Sequence, residues 1–237
     1  CKTRNILFER LKITYEDLKN KESSELIRLL DASVYKDQFS LEKECAKKAK
    51  LIVSHEEPDI KLIVNKIFEV DNLHQQFLSF SHVPGKKQFR DKKDQVIIYA
   101  SKWKRPNKNA SLLHGIRDML KSTPYELIEI GNGSSGLSFL NHGDLMHLVN
   151  DSKVVFCPYL YAGCGAVTEG IRLGCNVITL KRNPYHTYTN DELNVDDNVK
   201  KSIAMITKAM EKRYLPKKSI RGERSEMLKL INTIKNL

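Results

Sequence analysis

Residues 154–180 read VVFCPYLYAGCGAVTEGIRLGCNVITL. The run Val154-Val155-Phe156-Cys157-Pro158 has the length and β-branched content of a buried strand, and Val177-Ile178-Thr179-Leu180 has the same character. Between them, residues 166–173 predict a helix, with Gly174 just past its end where a left-handed residue closes the last turn. Strand, glycine-bearing loop, helix and strand in this order describe a right-handed crossover between parallel strands.

The same alternation extends upstream. Val96-Ile97-Ile98-Tyr99-Ala100 predicts a strand; Leu112, Leu113, Ile116, Met119 and Leu120 share one helical face, and Pro124 follows the helix end. Leu127-Ile128-Glu129-Ile130 predicts a second strand closed by Gly131-Asn132-Gly133, and Leu145, Leu148 and Val149 mark a short helix. The expected fold class is therefore α/β, a Rossmann-like parallel sheet, with ligands at the carboxyl ends of its strands.

Before residue 95 the pattern weakens. Residues 24–30 read as a short helix, and a basic helix over 41–48 leads into a strand over 49–53. Pro58 opens a helix that the spacing of Ile60, Ile63, Val64 and Ile67 carries to about Phe68, and a further strand is expected near Phe77-Leu78. The lysine-rich stretch 86–94 reads as a linker between a region over 1–85 and a Rossmann-like domain over 95–200. Residues 201–237 predict two amphipathic helices, one on Ile203, Ile206 and Met210, the other on Met227, Leu230, Ile231 and Ile234.

Composition bounds the function classes. With 41% hydrophobic and 29% charged residues, the 237-residue chain is neither collagen-like nor wholly disordered. No window approaches the ~18 apolar residues of a membrane span. The chain begins at Cys1 without an apolar leader run. Its cysteines (Cys1, Cys45, Cys157, Cys164 and Cys175) are odd in number and form no C-x-x-C, so neither a disulfide framework nor a zinc site is expected. A reducing, cytoplasmic compartment is the simpler expectation.

The net charge of +11 is local: residues 86–108 hold nine Lys/Arg against two acids, and residues 200–237 hold eleven against three. Such an excess suits an anion, whether a phosphate-bearing small molecule, nucleic acid or an anionic membrane face; solvated lysine-rich faces give the same signature.

Three loops leave the strand ends. The first, residues 101–109, places Lys102 and Lys108 after a strand and before a helix, where cations and free N–H groups can meet phosphates. The second, residues 130–136, is a Gly/Ser loop that lets backbone approach a ligand closely. The third runs through Gly163-Cys164-Gly165-Ala166-Val167 into a helix carrying Glu169. Its N–H groups can cradle a diphosphate, and the carboxylate one turn on can hold paired ribose hydroxyls.

Taken in order, these motifs resemble the donor-binding domain of GT-B nucleotide-sugar glycosyltransferases, the large retaining group that includes glycogen synthases. The resemblance spans roughly residues 40–237. The family's loop cations fall on Lys102 and Lys108, its "I-G-x-G" on Ile130 to Gly133 with Gly131 and Asn132 inside it. Its "E-G-F-G…E-A" falls on the segment from Gly163 to Glu169. Through the family, His142 stands where backbone contacts the nucleobase.

The resemblance implies transfer of a sugar from a nucleoside-diphosphate sugar to a glycan, lipid or protein acceptor, with no metal and no cofactor besides the donor. Independently of the resemblance, the basic face of the tail is expected to be available for a peripheral contact with anionic membrane. Three departures stand out. The family's first glutamate falls on Tyr161 or Ala162, Lys102 replaces an arginine, and the acceptor-side region lacks its opening strand and Gly-rich loop. A catalytically weak partner subunit and a basic nucleic-acid binder are the alternatives, although aromatic interleaving is sparse for the latter (Trp103 and Tyr214).

Overall fold

The computed structural model describes residues 2–55, 57–76, 85–103, 106–161, 164–218 and 223–236. In chain order its elements begin with α1 (Lys2–Asn5), α2 (Tyr15–Asn20), α3 (Ser23–Asp31), α4 (Lys36–Lys48), β1 (Ile52–His55), α5 (Pro58–Leu62) and β2 (Leu73–Gln76). There follow β3 (Lys93–Lys102), α6 (Ala110–Leu120), β4 (Glu126–Asn132), α7 (His142–Asp151) and β5 (Ser152–Cys157). The chain closes with α8 (Cys164–Arg172), β6 (Asn176–Leu180), β7 (Asn194–Val195), α9 (Val199–Glu211) and α10 (Glu223–Lys235). Two compact units divide these elements: Cys1–Leu78 with Gly222–Leu237, and Ser79–Arg221.

The Ser79–Arg221 unit is a parallel sheet in the order β4-β3-β5-β6-β7. Its central strands are apolar on both faces because helices cover both: Val96, Ile97, Ile98, Val154, Val155 and Phe156 are fully buried. α6 packs with α9, and α7 packs with α8. The crossovers expected from the sequence are all present, and Gly174 takes φ +77° behind α8. Residues 86–94, expected as a linker, pack into this unit. Lys87 N–H donates to Asn150 Oδ1 at 3.0 Å, and the buried Lys92 ammonium donates to the Asn150 carbonyl.

The other unit is mostly helical. Its core gathers Leu7, Leu18, Leu26, Leu30, Phe39, Ile63 and Ile67 around the parallel pair β1–β2. β1 starts later than the strand expected over 49–53, because α4 runs to Lys48 and Ala49 closes it. The helix from Pro58 continues as a π turn over Ile63–Phe68 and stops at Glu69 with φ +60°. β2 lies over Leu73–Gln76, whereas Phe77 and Leu78 fall outside the described residues. α10 packs on β2, with Thr233 Oγ1 3.1 Å from His74 Nδ1. The apolar stripe expected on this helix is covered only in part: Leu230 is half-buried, together with Thr233, whereas Met227, Ile231 and Ile234 are exposed. No helix among the described residues is long and apolar enough to cross a membrane.

Candidate functional site

In the strand order β4-β3-β5-β6-β7 the crossover from β3 goes one way, to β4, and the next goes the other way, to β5. A crevice therefore opens outside the carboxyl ends of β3 and β5, where the connections diverge. The loop after β3 and the first turns of α8 both arrive there.

Glu169 occupies the second turn of α8, with its side chain 13% exposed. Its Oε2 accepts a hydrogen bond from the Tyr99 hydroxyl at 2.7 Å, and its Oε1 lies 3.6 Å from His142 Nε2. Gly165 leaves room directly over the carboxylate: an added Cβ would sit 3.7 Å from Glu169 Oε2. Burial raises the Glu169 pKa, against the Tyr99 hydrogen bond and the nearby His142, which pull it down. The Tyr99 hydroxyl is itself held well above its ordinary pKa by burial and then by the Glu169 charge. Tyr99 therefore keeps its proton and donates it to one oxygen of Glu169, while the other oxygen faces His142.

Lys108 arrives from the loop after β3 and is 8% exposed. Its ammonium rests 3.9 Å from the centroid of the Tyr159 ring, a cation–π contact. Beneath it, Cys157 is fully buried, and burial pushes its thiol up to about 12 despite the opposing pull of Lys108. That sulfur stays protonated and is no nucleophile.

The segment after β5 is tied at three points. Asn183 Nδ2 donates to the Tyr159 carbonyl at 2.9 Å, Leu160 N–H to the Asn107 carbonyl at 3.0 Å, and Asn107 Nδ2 to the Tyr161 carbonyl at 3.3 Å. Tyr161, at the position where the family's first glutamate is expected, is buried. Ala162 and Gly163 lie outside the described residues. Cys164, Gly165, Ala166 and Val167 form the first turn of α8, whose N–H groups have no intrahelical acceptor. Gly165 is exposed in this turn, whereas Ala166 and Val167 are buried against the core.

The β3–β4 corner makes a second cluster. Lys102 is exposed and pairs in register with Asn132. Gly131 takes φ +133°, and a Cβ there would fall 1.7 Å from the Ala100 carbonyl oxygen, so no other residue fits. Trp103 is buried and donates its indole N–H to the Ile130 carbonyl at 3.1 Å, which makes it a brace and not a stacking platform. Behind this corner Glu129 receives Arg117 through two hydrogen bonds, at 2.7 and 2.8 Å, and Ser135 through another at 3.1 Å. His186 is occupied locally, its Nδ1 2.8 Å from the Asn183 carbonyl.

The structure thus brings His142, Gly165 and Glu169 together and places Lys102 beside Asn132. Sequence reasoning missed Tyr99 and Tyr159. Tyr99 carried a signal in retrospect, as the one polar-tipped residue near the carboxyl end of the apolar strand. No group of three or more His, Cys, Asp or Glu able to hold a metal occurs among the described residues.

No protein-family model matches the chain, and no curated protein matches it. Among solved structures it is similar to TarM, with TM-score 0.51 and 15% identity over 82% of this chain and 45% of that one. A variant of S. aureus TarM in complex with fondaparinux, alpha-GlcNAc-glycerol and UDP has TM-score 0.49 and 15% identity over 81% of this chain and 45% of that one. The GtfA/B complex has TM-score 0.46 and 12% identity over 85% of this chain and 44% of that one. The chain therefore spans less than half the length of these structures. The likeness to TarM shows the fold: α/β, with a Rossmann-like parallel sheet of the GT-B type.

Proposed function

We propose that this chain binds a nucleoside-diphosphate sugar and serves glycosyl transfer from it to an acceptor. The observation that carries the reading is Glu169: a buried carboxylate behind the first turn of α8, at the switch point of the sheet, with one oxygen fixed by Tyr99. A carboxylate so placed suits a pair of ribose hydroxyls, and the N–H groups of the same first turn suit the diphosphate. Lys108, on the facing loop, would offset the charge that grows on the leaving diphosphate, with Lys102 at the outer rim. Gly131, Asn132 and His142 complete the proposed wall, His142 on the nucleobase side.

Calorimetry against nucleoside diphosphates, the matching nucleosides and diphosphate sugars tests this. Losing one charged hydrogen bond weakens binding by ~1.5–3 kcal/mol, on the order of tenfold to a hundredfold. Glu169→Gln should therefore weaken every ribose-bearing ligand, whereas Lys108→Met should weaken diphosphates and spare nucleosides. Unchanged dissociation constants in both variants would remove the site from consideration.

A second reading, a partner subunit that holds donor without turning it over, is favoured by Tyr161, which supplies no carboxylate where the family has its first glutamate. Donor binding without sugar release to water or to any acceptor would support it.

A further inference from the structure

The two basic segments read from the sequence, far apart along the chain, meet at the amino-terminal ends of the same sheet's strands. A cavity of about 630 Å³ opens there between Lys86, Lys87 and Phe89, Arg172 at the end of α8, and Arg213 and Leu215 after α9. It lies at the amino-terminal edge: Lys86 and Lys87 lead into β3, and Gly174, also in its wall, immediately precedes β6. Four cations line it and no carboxylate does. Lys87 pairs with Asp151 nearby, but Lys86, Arg172 and Arg213 make no ion pair with a carboxylate among the described residues.

One of these cations is held in place, and the exposed Lys86 reaches over the same wall. Arg213 is half-buried and donates from Nη1 to Asn176 Oδ1 at 2.8 Å and to the Tyr214 carbonyl, both neutral acceptors. Lys86 lies across Gly174, where a Cβ would come within 2.3 Å of its Cε. A half-buried guanidinium without a counter-ion is costly to maintain, and burial lowers its pKa accordingly. Its planar fork matches a phosphoryl group, and the flanking ammonium groups supply further charge. Phe89 and Leu215 give the cavity an apolar wall, and its volume suits a small molecule better than a bare ion.

We propose that this cavity is a second ligand site, which takes a phosphomonoester on an apolar or aromatic body. It is independent of the donor reading, because the two sites lie at opposite ends of the strands. The phosphoryl group could be free or belong to a lipid headgroup, and the test separates these sources.

The full chain is titrated with phenyl phosphate by calorimetry, and floated with phosphatidylcholine vesicles with and without phosphatidic acid. Phenyl phosphate should bind, and should still bind when a nucleoside diphosphate is present in excess. The Lys86→Ala/Lys87→Ala double variant should weaken it at least tenfold, as should Arg213→Gln, whereas Lys217→Ala, in the same basic tail but outside the cavity, should bind as the parent does. Should Arg213→Gln fail to fold, the lysine pair at the exposed rim decides. Flotation that needs phosphatidic acid and is lost in the double variant assigns the phosphoryl group to lipid; calorimetric binding without flotation assigns it to a free phosphomonoester. No binding in either arm, or binding unaltered in the double variant, overturns the proposal.

Discussion

At the scale of single residues, Glu169 costs the fold something. Its folded pKa is raised, chiefly by burial, so the folded state holds its proton more tightly than the unfolded chain does. The resulting penalty is absent below the unfolded pKa, grows as pH rises through the folded one, and is complete above it. Glu169→Gln keeps an oxygen for the Tyr99 hydroxyl and removes the charge. The variant should melt at or above the parent temperature at neutral pH, with its advantage shrinking as the solution is acidified. Thermal scans from pH 4 to pH 8 check this, and a variant that melts lower at neutral pH would contradict it. Glu129 is the opposite case: burial pushes its carboxyl up, but the hydrogen bonds from Arg117 and Ser135 prevail and leave it below the usual range. Its stabilisation is present above the unfolded pKa and is lost as pH falls through the folded one. Arg117→Ala leaves that buried carboxylate without its bidentate partner and should cost about 3 kcal/mol in denaturant unfolding.

At the scale of elements, α8 is the part on which the site depends. Gly170 lets the helix lie against the sheet: an added Cβ would come 2.8 Å from Val177 Cγ2 and 2.9 Å from Val155 Cγ2. Both valines are buried in central strands and cannot retreat. Gly170→Ala should lower stability by ~1–3 kcal/mol, the usual cost of overpacking. It should also displace Glu169 and weaken nucleoside-diphosphate binding beyond what the stability loss explains. Urea unfolding beside calorimetry on the same sample separates the two effects, and full affinity in a destabilised variant would show that α8 is not the positioning element. The helix itself was legible in the sequence, because apolar spacing and a closing glycine are local signals. Its contact with Tyr99 was not, since that pairing joins residues seventy positions apart.

At the scale of the whole molecule, the chain folds as two units with separate cores, and α10 belongs with β1 and β2. The contribution of α10 is modest, since Met227, Leu228, Ile231 and Ile234 remain exposed. Removing residues 223–237 should lower the melting temperature of that unit by ~4–8 °C, corresponding to about 1 kcal/mol in a unit of its size, and leave the Ser79–Arg221 transition unmoved. Calorimetric scans that shift both transitions equally would refute this assignment. Three of the eleven basic residues over 200–237 are paired with acids from outside that segment: Lys201 with Asp196, Lys208 with Glu192 and Lys217 with Asp191. These exposed pairs contribute little to stability and offset only part of the basic tail that invited a membrane contact.

The sequence by itself determined the α/β class, the crossovers after residue 95 and the identity of α8 as the glycine-led helix, because strand runs, helical periodicity and end-capping glycines act over a few residues. It also carried the loops that bear Lys102, Lys108, Gly131 and Glu169. Only the tertiary structure decided which of them meet. Strand order made the crevice between β3 and β5, the Tyr99 hydroxyl took one oxygen of Glu169, and Lys108 settled over the Tyr159 ring. The segment expected as a linker became part of the Ser79–Arg221 unit for a similar reason. The charge of Lys92 predicts exposure, but its ammonium finds the Asn150 carbonyl at the end of α7, an acceptor that exists only once the sheet has assembled.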